Sequence, residues 1–465
     1  MKITFWGAVG GTTGTRTLLE VRGRKMLLDC GLFQGRREEA EAKNRRFPFA
    51  ADEVDCVVLS HAHIDHSGNL PGLVRDGFRG SIHATRATID LCDPMLRDSA
   101  HIQERDVEFV NKRRARKKQK PKEPIYTEAH AEQTQPLFVG HDYHRPFDVI
   151  PGVRATFFDA GHILGSAITV LEIEEGGRRL RLGFTGDLGR PDLPIIRDPE
   201  TVEGLEVLIT ESTYGNRLHE ETGEIPDLMA GLLNRVHARG GKVIIPAFAV
   251  GRTQEIVSVL KDLFSSQRVP RMPVYVDSPL AVNVTDVFRR HPECFDEDAL
   301  ALLNEEHTDP FGFRLMHYVR DVEESKALNT KDGPMIIISA SGMCEAGRIL
   351  HHLRNNIEDP RALILVVGFM AENTLGRKLV EGWDEVRIFG EEFPRQAEVA
   401  VLNAFSAHAD RNELLAWTTG LGPPPQRCFV VHGETDQAEA FAARLSEQKG
   451  FDDVRIPELG RAYTL

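Results

Sequence analysis

The chain has 465 residues, 41% of them apolar and 27% charged; this is globular composition in a chain too long for one compact core, and it excludes a disordered or fibrous protein. The formal net charge of −13 argues against a polyanionic partner at long range, although local patches act on their own within a Debye length of about 8–10 Å. No stretch reaches the roughly 18–20 consecutive apolar residues of a membrane span, and the six cysteines, at 30, 56, 92, 294, 344 and 428, form no CxxC pair, so a reduced, cytoplasmic chain with no membrane partner is expected.

The N-terminus, MKITFWGAVGG, reads as an early strand and not as a secretion signal. Up to about residue 211 the chain is rich in short apolar runs: KITFWGA, KMLLDC, VDCVVLS, RATFFDA, AITVLEI, LRLGFTGD and VLITES. Each is strand-sized, and most end in a turn or polar cluster. Asp29, His61, His162, Asp187 and Glu211 each follow such a run, where layered α/β proteins assemble their sites.

A helical stretch beginning near Thr85 leads into KRRARKKQKPK at 112–122, which holds eight Lys or Arg. A run of this kind is either a solvated helix end or a basic arm for a polyanion. From 212 to 395 strand and helix alternate: KVIIPAF before TQEIVSVLKDLF, PVYVD before PLAVNVTDVFRR, MIIISASG before AGRILHHLRNN, and ALILVVGFM before TLGRKLVE. That alternation predicts a parallel α/β sheet. From 396 to 465 the earlier style returns, with AVLNAFSAHAD, CFVVHGETD and a helix. No long Pro/Ser linker separates the parts, so the middle region is expected to be inserted into a first domain built from 1–211 and 396–465.

The strongest signal is SHAHIDHSGNLPG at 60–72, in which HxHxDH follows the strand VDCVVLS. Imidazole and carboxylate are suitable zinc ligands. His61 and His63 alternate and converge on one ion, while Asp65 and His66 turn toward a second as a helix begins. Asp159-Ala160-Gly161-His162, Gly186-Asp187 and Val431-His432-Gly433 supply further ligands at strand ends, and Asp187 is placed to bridge.

This pattern resembles the metallo-β-lactamase superfamily and, within it, the nucleic-acid-processing β-CASP branch. Asp29 in LLDCG, the HxHxDH block, His162 and Asp187 match the superfamily's motifs. Glu211 in ESTYGNR, His408 in FSAHAD and His432 in VHGE match those of the branch alone. PAFAVGRTQE, VDSPLA, SGMCEAGR and the run to TLGR are also similar to it. The resemblance implies an α/β fold, a metallo-β-lactamase αβ/βα sandwich with an inserted α/β β-CASP domain and the substrate cleft between them. It implies two Zn²⁺ (with Mn²⁺ acceptable in vitro): His61, His63, His162 and Asp187 on one, Asp65, His66, Asp187 and His432 on the other, and Asp29 orienting a ligand or water.

It implies also phosphodiester hydrolysis of single-stranded RNA, with His408 as general acid and Glu211 beside it. Their pairing comes from the resemblance alone. Backbone N–H groups at strand-to-helix turns and arginine forks suit phosphate, so Arg252, Ser341, Gly342, Arg348 and Ser406 are the expected substrate contacts. Small-molecule hydrolases with the same HxHxDH core lack the insertion. DNA-directed members of the branch typically carry valine where His432 stands, and non-catalytic relatives lose metal ligands. The chain looks most like compact bacterial relatives of the eukaryotic pre-mRNA 3′-end cleavage subunit, without the extra C-terminal domain of ribonuclease J-type members or a preceding KH segment; a homodimer is compatible with this.

Overall fold

A computed structural model of the chain describes residues 1–35, 37–220, 222–304, 309–368, 370, 373–448 and 450–465. Positions 369, 371 and 372, within the run that leads to TLGR, lie outside the described residues. The chain divides into two units: Met1–Pro191 with Asp198–Leu218 and His408–Leu465, and Asp192–Arg197 with His219–Ala407.

The first unit has two seven-stranded sheets. In one the order is Ala462–Thr464, Lys2–Phe5, Thr17–Val21, Arg24–Leu28, Cys56–Val58, Ser81–Thr85, Phe138–His141; in the other it is Val454–Arg455, Arg427–Val430, Val207–Thr210, Arg178–Phe184, Ala167–Glu175, Val153–Asp159, Phe147–Ile150. Side chains alternate across a pleated strand, and here the alternation builds two cores. Ala167, Leu171 and Ile173 join Ile3, Leu19, Met26 and Val58 between the sheets. Ile168 and Val170 turn the other way, onto a core shared with Leu414, Trp417, Phe441 and Leu445 of the helices Arg411–Thr419 and Thr435–Gln448. Helix Arg86–Arg116 packs on the outer side of Ser81–Thr85 and Phe138–His141. The unit is therefore an αβ/βα sandwich. Strands buried on both faces read as unbroken apolar runs, which is why VLIT and CFVV were recognisable.

The second unit is a six-stranded sheet in the order Met316–Tyr318, Val274–Val276, Met335–Ser339, Lys242–Pro246, Leu363–Val366, Glu398–Val401. Every pairing is parallel. Ile336 and Ile338 enter one core and Ile337 the other, as do Val243 and Ile245 against Ile244. The alternating strand and helix pattern is thus realised as a doubly covered parallel sheet. One element sits differently from its expected place: Glu398–Val401, read as part of the closing segment, pairs in parallel with Leu363–Val366 as the edge of this sheet, and the unit runs on to Ala407. Its residues are all half-buried, the environment of an edge strand. Among the described residues no helix is long and apolar enough to cross a membrane.

Phe429 anchors the inter-sheet core: it is fully buried, with its ring centroid 5.0 Å from Phe5 and 5.2 Å from Tyr463. Phe429→Ala is expected to cost about 3–5 kcal/mol, the usual penalty for removing a fully buried ring. Urea unfolding followed by circular dichroism checks it; a loss below about 1 kcal/mol would mean that the two sheets do not depend on this contact.

Candidate metal centre

The ligand-type side chains sit at strand ends of the first unit. Asp29 follows Arg24–Leu28, and His61 and His63 follow Cys56–Val58. Asp65 and His66 lie on the short helix Ile64–Ser67, as the spacing predicted. His162, Asp187, Glu211 and His432 follow Val153–Asp159, Arg178–Phe184, Val207–Thr210 and Arg427–Val430. Asp187 reaches the centre because Gly186 precedes it at φ 56°, where a Cβ would stand 2.6 Å from that of Ser60.

The hydrogen bonds decide which ring nitrogens carry protons. Ser60 donates its N–H to Asp29 Oδ1 at 2.7 Å and its hydroxyl to Oδ2 at 2.8 Å. With that proton committed, Ser60 Oγ accepts from His61 Nδ1 at 3.0 Å, which leaves a lone pair on His61 Nε2. That Nε2 lies 3.2 Å from His63 Nδ1, and His162 Nε2 lies 3.1 Å from the same atom. Three imidazole nitrogens thus converge on one point. Ligand nitrogens about 2.0–2.1 Å from a tetrahedral zinc are about 3.3 Å apart, close to this spacing.

A second group faces them across Asp187. His66 Nδ1 donates to Asp29 Oδ2 at 2.6 Å, so its Nε2 is turned inward, 3.2 Å from His432 Nε2. His432 Nε2 is 3.5 Å from Asp65 Oδ2, and its Nδ1 is 3.2 Å from the Thr213 hydroxyl. Asp187 divides its oxygens: Oδ2 is 3.5 Å from both His61 and His162, and Oδ1 is 3.2 Å from both His66 and His432. Yet Oδ1, fully buried, accepts no hydrogen bond among the described residues. A buried carboxylate oxygen in that state calls for a partner, and an ion is one that suits it. This orphaned oxygen, together with the converging lone pairs, fits a site for metal ions. His61, His63, His162 and Asp187 form one ligand group and Asp65, His66 and His432 another.

The charge states agree. Burial, chiefly, holds His61 well below the usual imidazole range and His63 at about 4, so both offer neutral nitrogens. Burial acts the same way on His66, but Asp187 and Asp29 outweigh it and hold that ring well above its usual range. Without metal, His66 supplies the positive charge that the buried acids require.

His408 stands beside this cluster, its ring centroid 4.5 Å from that of His162. Its Nδ1 donates to Glu211 Oε1 at 3.0 Å, although 197 positions separate the two. Burial would lower its pKa; Glu211 and then Asp187 more than reverse this and raise it to about 9. Asp187, Glu211 and His408 also lie close enough to form a ligand group. Glu211 is already committed, however, since its oxygens accept the backbone N–H groups of Leu188 at 2.7 Å and Thr213 at 3.2 Å.

The expected substrate contacts lie in the second unit, each within that unit's own network. Arg252 is buried, ion-paired to Glu255, with its guanidinium carbon 5.7 Å from the Phe405 ring centre. Arg348 donates to Asp277 Oδ1 at 2.6 Å and to the Arg320 carbonyl at 2.7 Å. Ser341 N–H goes to the Ala346 carbonyl at 3.3 Å, and Gly342 has no room for a Cβ against the Phe248 ring at 2.8 Å. Ser406 is buried and donates its N–H to the Asn403 carbonyl at 2.7 Å. Ser60 and Thr213, which hold His61 and His432, were not singled out from the sequence, although each adjoins a motif residue.

Residues 9–218 match the metallo-beta-lactamase superfamily, 253–379 the Beta-Casp domain, and 392–457 the Zn-dependent metallo-hydrolase RNA specificity domain. The chain is 36% identical over 452 residues to Ribonuclease TTHA0252 of Thermus thermophilus, covering 96% of each chain. It belongs to the β-CASP branch of the metallo-β-lactamase superfamily and is a metal-dependent hydrolase of that nuclease branch. It is also 30% identical to Transcription termination factor FttA of Methanocaldococcus jannaschii, over 95% of this chain and 68% of that one. A crystal structure of a protein of unknown function from Enterococcus faecalis shares the fold, with TM-score 0.55 at 14% identity over 100% of this chain and 99% of that one.

Asp29 presents His66 through one short hydrogen bond. Asp29→Asn, which keeps the size and removes the charge, is expected to weaken metal binding about 10–100-fold without unfolding the chain. Competition with a chromogenic chelator measures it; unchanged affinity would mean that His66 does not need this partner.

Proposed function

We propose that the chain is a zinc-dependent ribonuclease that hydrolyses phosphodiester bonds of single-stranded RNA with two metal ions. One observation carries this reading: a buried cluster of five imidazoles and two carboxylates, divided by Asp187, lies beside an imidazole backed by its own carboxylate. In this reading His61, His63, His162 and Asp187 hold one ion, and Asp65, His66, Asp187 and His432 the other. Asp29 fixes His66. The ligand types suit zinc, and manganese is expected to substitute in vitro. Two ions so held would neutralise charge developing on a phosphate and lower the pKa of a water.

The protein's own residues supply what remains. A ribose oxygen leaves poorly unless protonated. His408, carrying a proton on each ring nitrogen, donates Nδ1–H to Glu211 and keeps the Nε2 proton for the departing oxygen. Glu211 is a positioning residue whose charge keeps His408 protonated at neutral pH. In the inserted region expected over 212–395, the turn at Ser341 and Gly342 is proposed as a phosphate contact. Arg348 would hold that turn through Asp277, with Arg252 and Ser406 supporting.

RNA is favoured over DNA by two supports: a histidine occupies position 432, where DNA-directed members of the branch carry valine, and the full-length relative from Thermus thermophilus is named a ribonuclease. A cleavage assay with matched single-stranded RNA and DNA, with zinc and with chelator, tests this. Chelator-sensitive cutting of RNA alone is expected; efficient cutting of DNA, or of neither strand, overturns it.

His408→Ala is expected to retain bound zinc while slowing cleavage about 10²–10⁴-fold, the usual span for a lost general acid. Unchanged turnover would assign the proton to another group. The wild-type alkaline limb reflects a raised imidazole: a His408 that must be protonated acts below its pKa, and activity falls as pH rises through it. Glu211→Gln removes the charge that raises this pKa, so the limb should move to lower pH. A limb that stays in place would detach it from His408.

A further inference from the structure

The basic run at 112–122 plays no part in the centre described above. It covers the last residues of helix Arg86–Arg116 and the loop that follows. The loop is built, not loose. Asn111 accepts Lys122 N–H at 2.8 Å and donates to its carbonyl at 2.9 Å, and Arg114 Nε donates to the Lys120 carbonyl at 2.7 Å. Lys122 is also paired with Glu41 at 2.8 Å. These bonds fold the chain back on the helix end and hold the remaining cations outward. Lys112, Arg113, Arg116, Lys117, Lys118 and Lys120 are exposed and make no ion pair among the described residues.

The helix face leading to this loop is unusual for a solvated one. Residues three and four apart share a helix face, and here that face presents Ile102, Arg105, Asp106, Phe109, Lys112, Arg113 and Arg116. Phe109 is 55% exposed and Ile102 43%. The Arg113 guanidinium lies over the Phe109 ring, 4.6 Å from its centre. An exposed aromatic ring with a cation over it, flanked by unpaired cations, has the parts of a stacking platform for a base with phosphate partners on either side. The acids near it are Asp106 on the face itself, Glu108, 3.9 Å from Arg105, and the exposed Glu123 beside Lys122, three against the eight cations of the run. Two apolar residues make too narrow a stripe to enter a bilayer, whereas eight cations in eleven positions, within a chain of net charge −13, complement a polyanion.

We infer that the helix face Ile102–Arg116 and the loop to Lys122 form a second docking surface for single-stranded RNA, which grips the strand away from the scissile bond. This rests on the proposed ribonuclease reading and adds to it a distance. Near its start the same helix touches the centre's surroundings, since Thr88 Oγ1 donates to the Gly165 carbonyl at 2.8 Å, three positions after His162. At a rise of about 1.5 Å per residue, Phe109 lies about 30 Å further along the helix. The surface is thus beyond the reach of a substrate of a few nucleotides and within reach of a longer one.

The test measures binding in chelator by fluorescence anisotropy, with labelled single-stranded RNAs of roughly 5 and roughly 25 nucleotides. The quadruple variant Arg116→Gln, Lys117→Gln, Lys118→Gln, Lys120→Gln should bind the long RNA at least about tenfold more weakly, with the salt slope reduced by about 3. Zinc-dependent cleavage of the short RNA should not change. Phe109→Ala should weaken long-RNA binding at least about fivefold with the salt slope intact, and should not affect duplex RNA. Unchanged long-RNA affinity in the quadruple variant overturns the proposal, as does an equal loss in cleavage of the short RNA. Loss of binding to phosphatidylserine vesicles with RNA binding intact would assign the surface to a membrane instead. Failure of the wild type to cut the short RNA would count against the ribonuclease reading and not against the surface, which the binding data read separately.

Discussion

Asp187 is a carboxylate removed from water, with imidazole nitrogens at both oxygens and no hydrogen bond to one of them. A charge in that position is tolerated only if the surroundings supply a counter-charge at fixed geometry. The centre around it meets this condition: without metal, Asp29 and Asp187 hold His66 protonated, and on the proposed reading a metal ion would supply the counter-charge instead. Asp29 and His432 both lie in the left-handed region, at φ 61° and 50°. Non-glycine residues enter that region at a cost that the surrounding structure must enforce. Ser60 and Val58, which bond to Asp29, and Ala8, whose carbonyl accepts His432 N–H at 2.8 Å, do the enforcing. The sandwich therefore serves to keep several strand ends rigid at one place.

Much of this was legible in the sequence, for identifiable reasons. Strands buried on both faces, such as VLIT and MIIIS, appear as unbroken apolar runs. Ser81–Thr85, Phe138–His141 and Phe147–Ile150 lie toward sheet edges or mix polar with apolar residues, and none stood out. Glu398–Val401 was assigned to the wrong unit because a half-buried edge strand carries no mark of its partner. HxHxDH was legible because four potential ligands in six residues have no ordinary structural use. The contact of His408 with Glu211 was not, since only the fold brings two residues 197 positions apart together. Ser60 and Thr213 escaped notice because a hydroxyl beside a motif is too common to signal anything.

The arginines teach the converse. Arg252 and Arg348 occupy strand-to-helix turns, a setting in which guanidinium groups commonly meet phosphate. In the structure each has a carboxylate partner, Glu255 three positions away and Asp277 seventy-one positions away. Asp277 is itself fully buried and bonds to His352 and Ser325 as well, at 2.6 and 2.5 Å. Such a network stiffens the loop ends of the parallel sheet. Within the 112–122 run the described Lys112, Arg113, Arg116, Lys117, Lys118 and Lys120 make no ion pair, whereas Lys122 is paired with Glu41, so charge count alone does not identify the charges available to a ligand.

The strand order of the sandwich has a consequence for the chain's own biosynthesis. Arg427–Val430, which leads to His432, lies between Val207–Thr210 and Val454–Arg455, and Ala462–Thr464 closes the other sheet beside Lys2–Phe5. The proposed ligands His61 to Asp187 are translated before the second unit, whereas His408 and His432 follow it. A growing polypeptide holding His61, His63, His162 and Asp187 lacks, on the proposed reading, both the proton donor His408 and the ligand His432. On the proposed reading, such a nascent chain is inert while still tethered to the message that encodes it. Completing the sandwich only after the second unit has been made thus delays the onset of cutting until His432 has emerged.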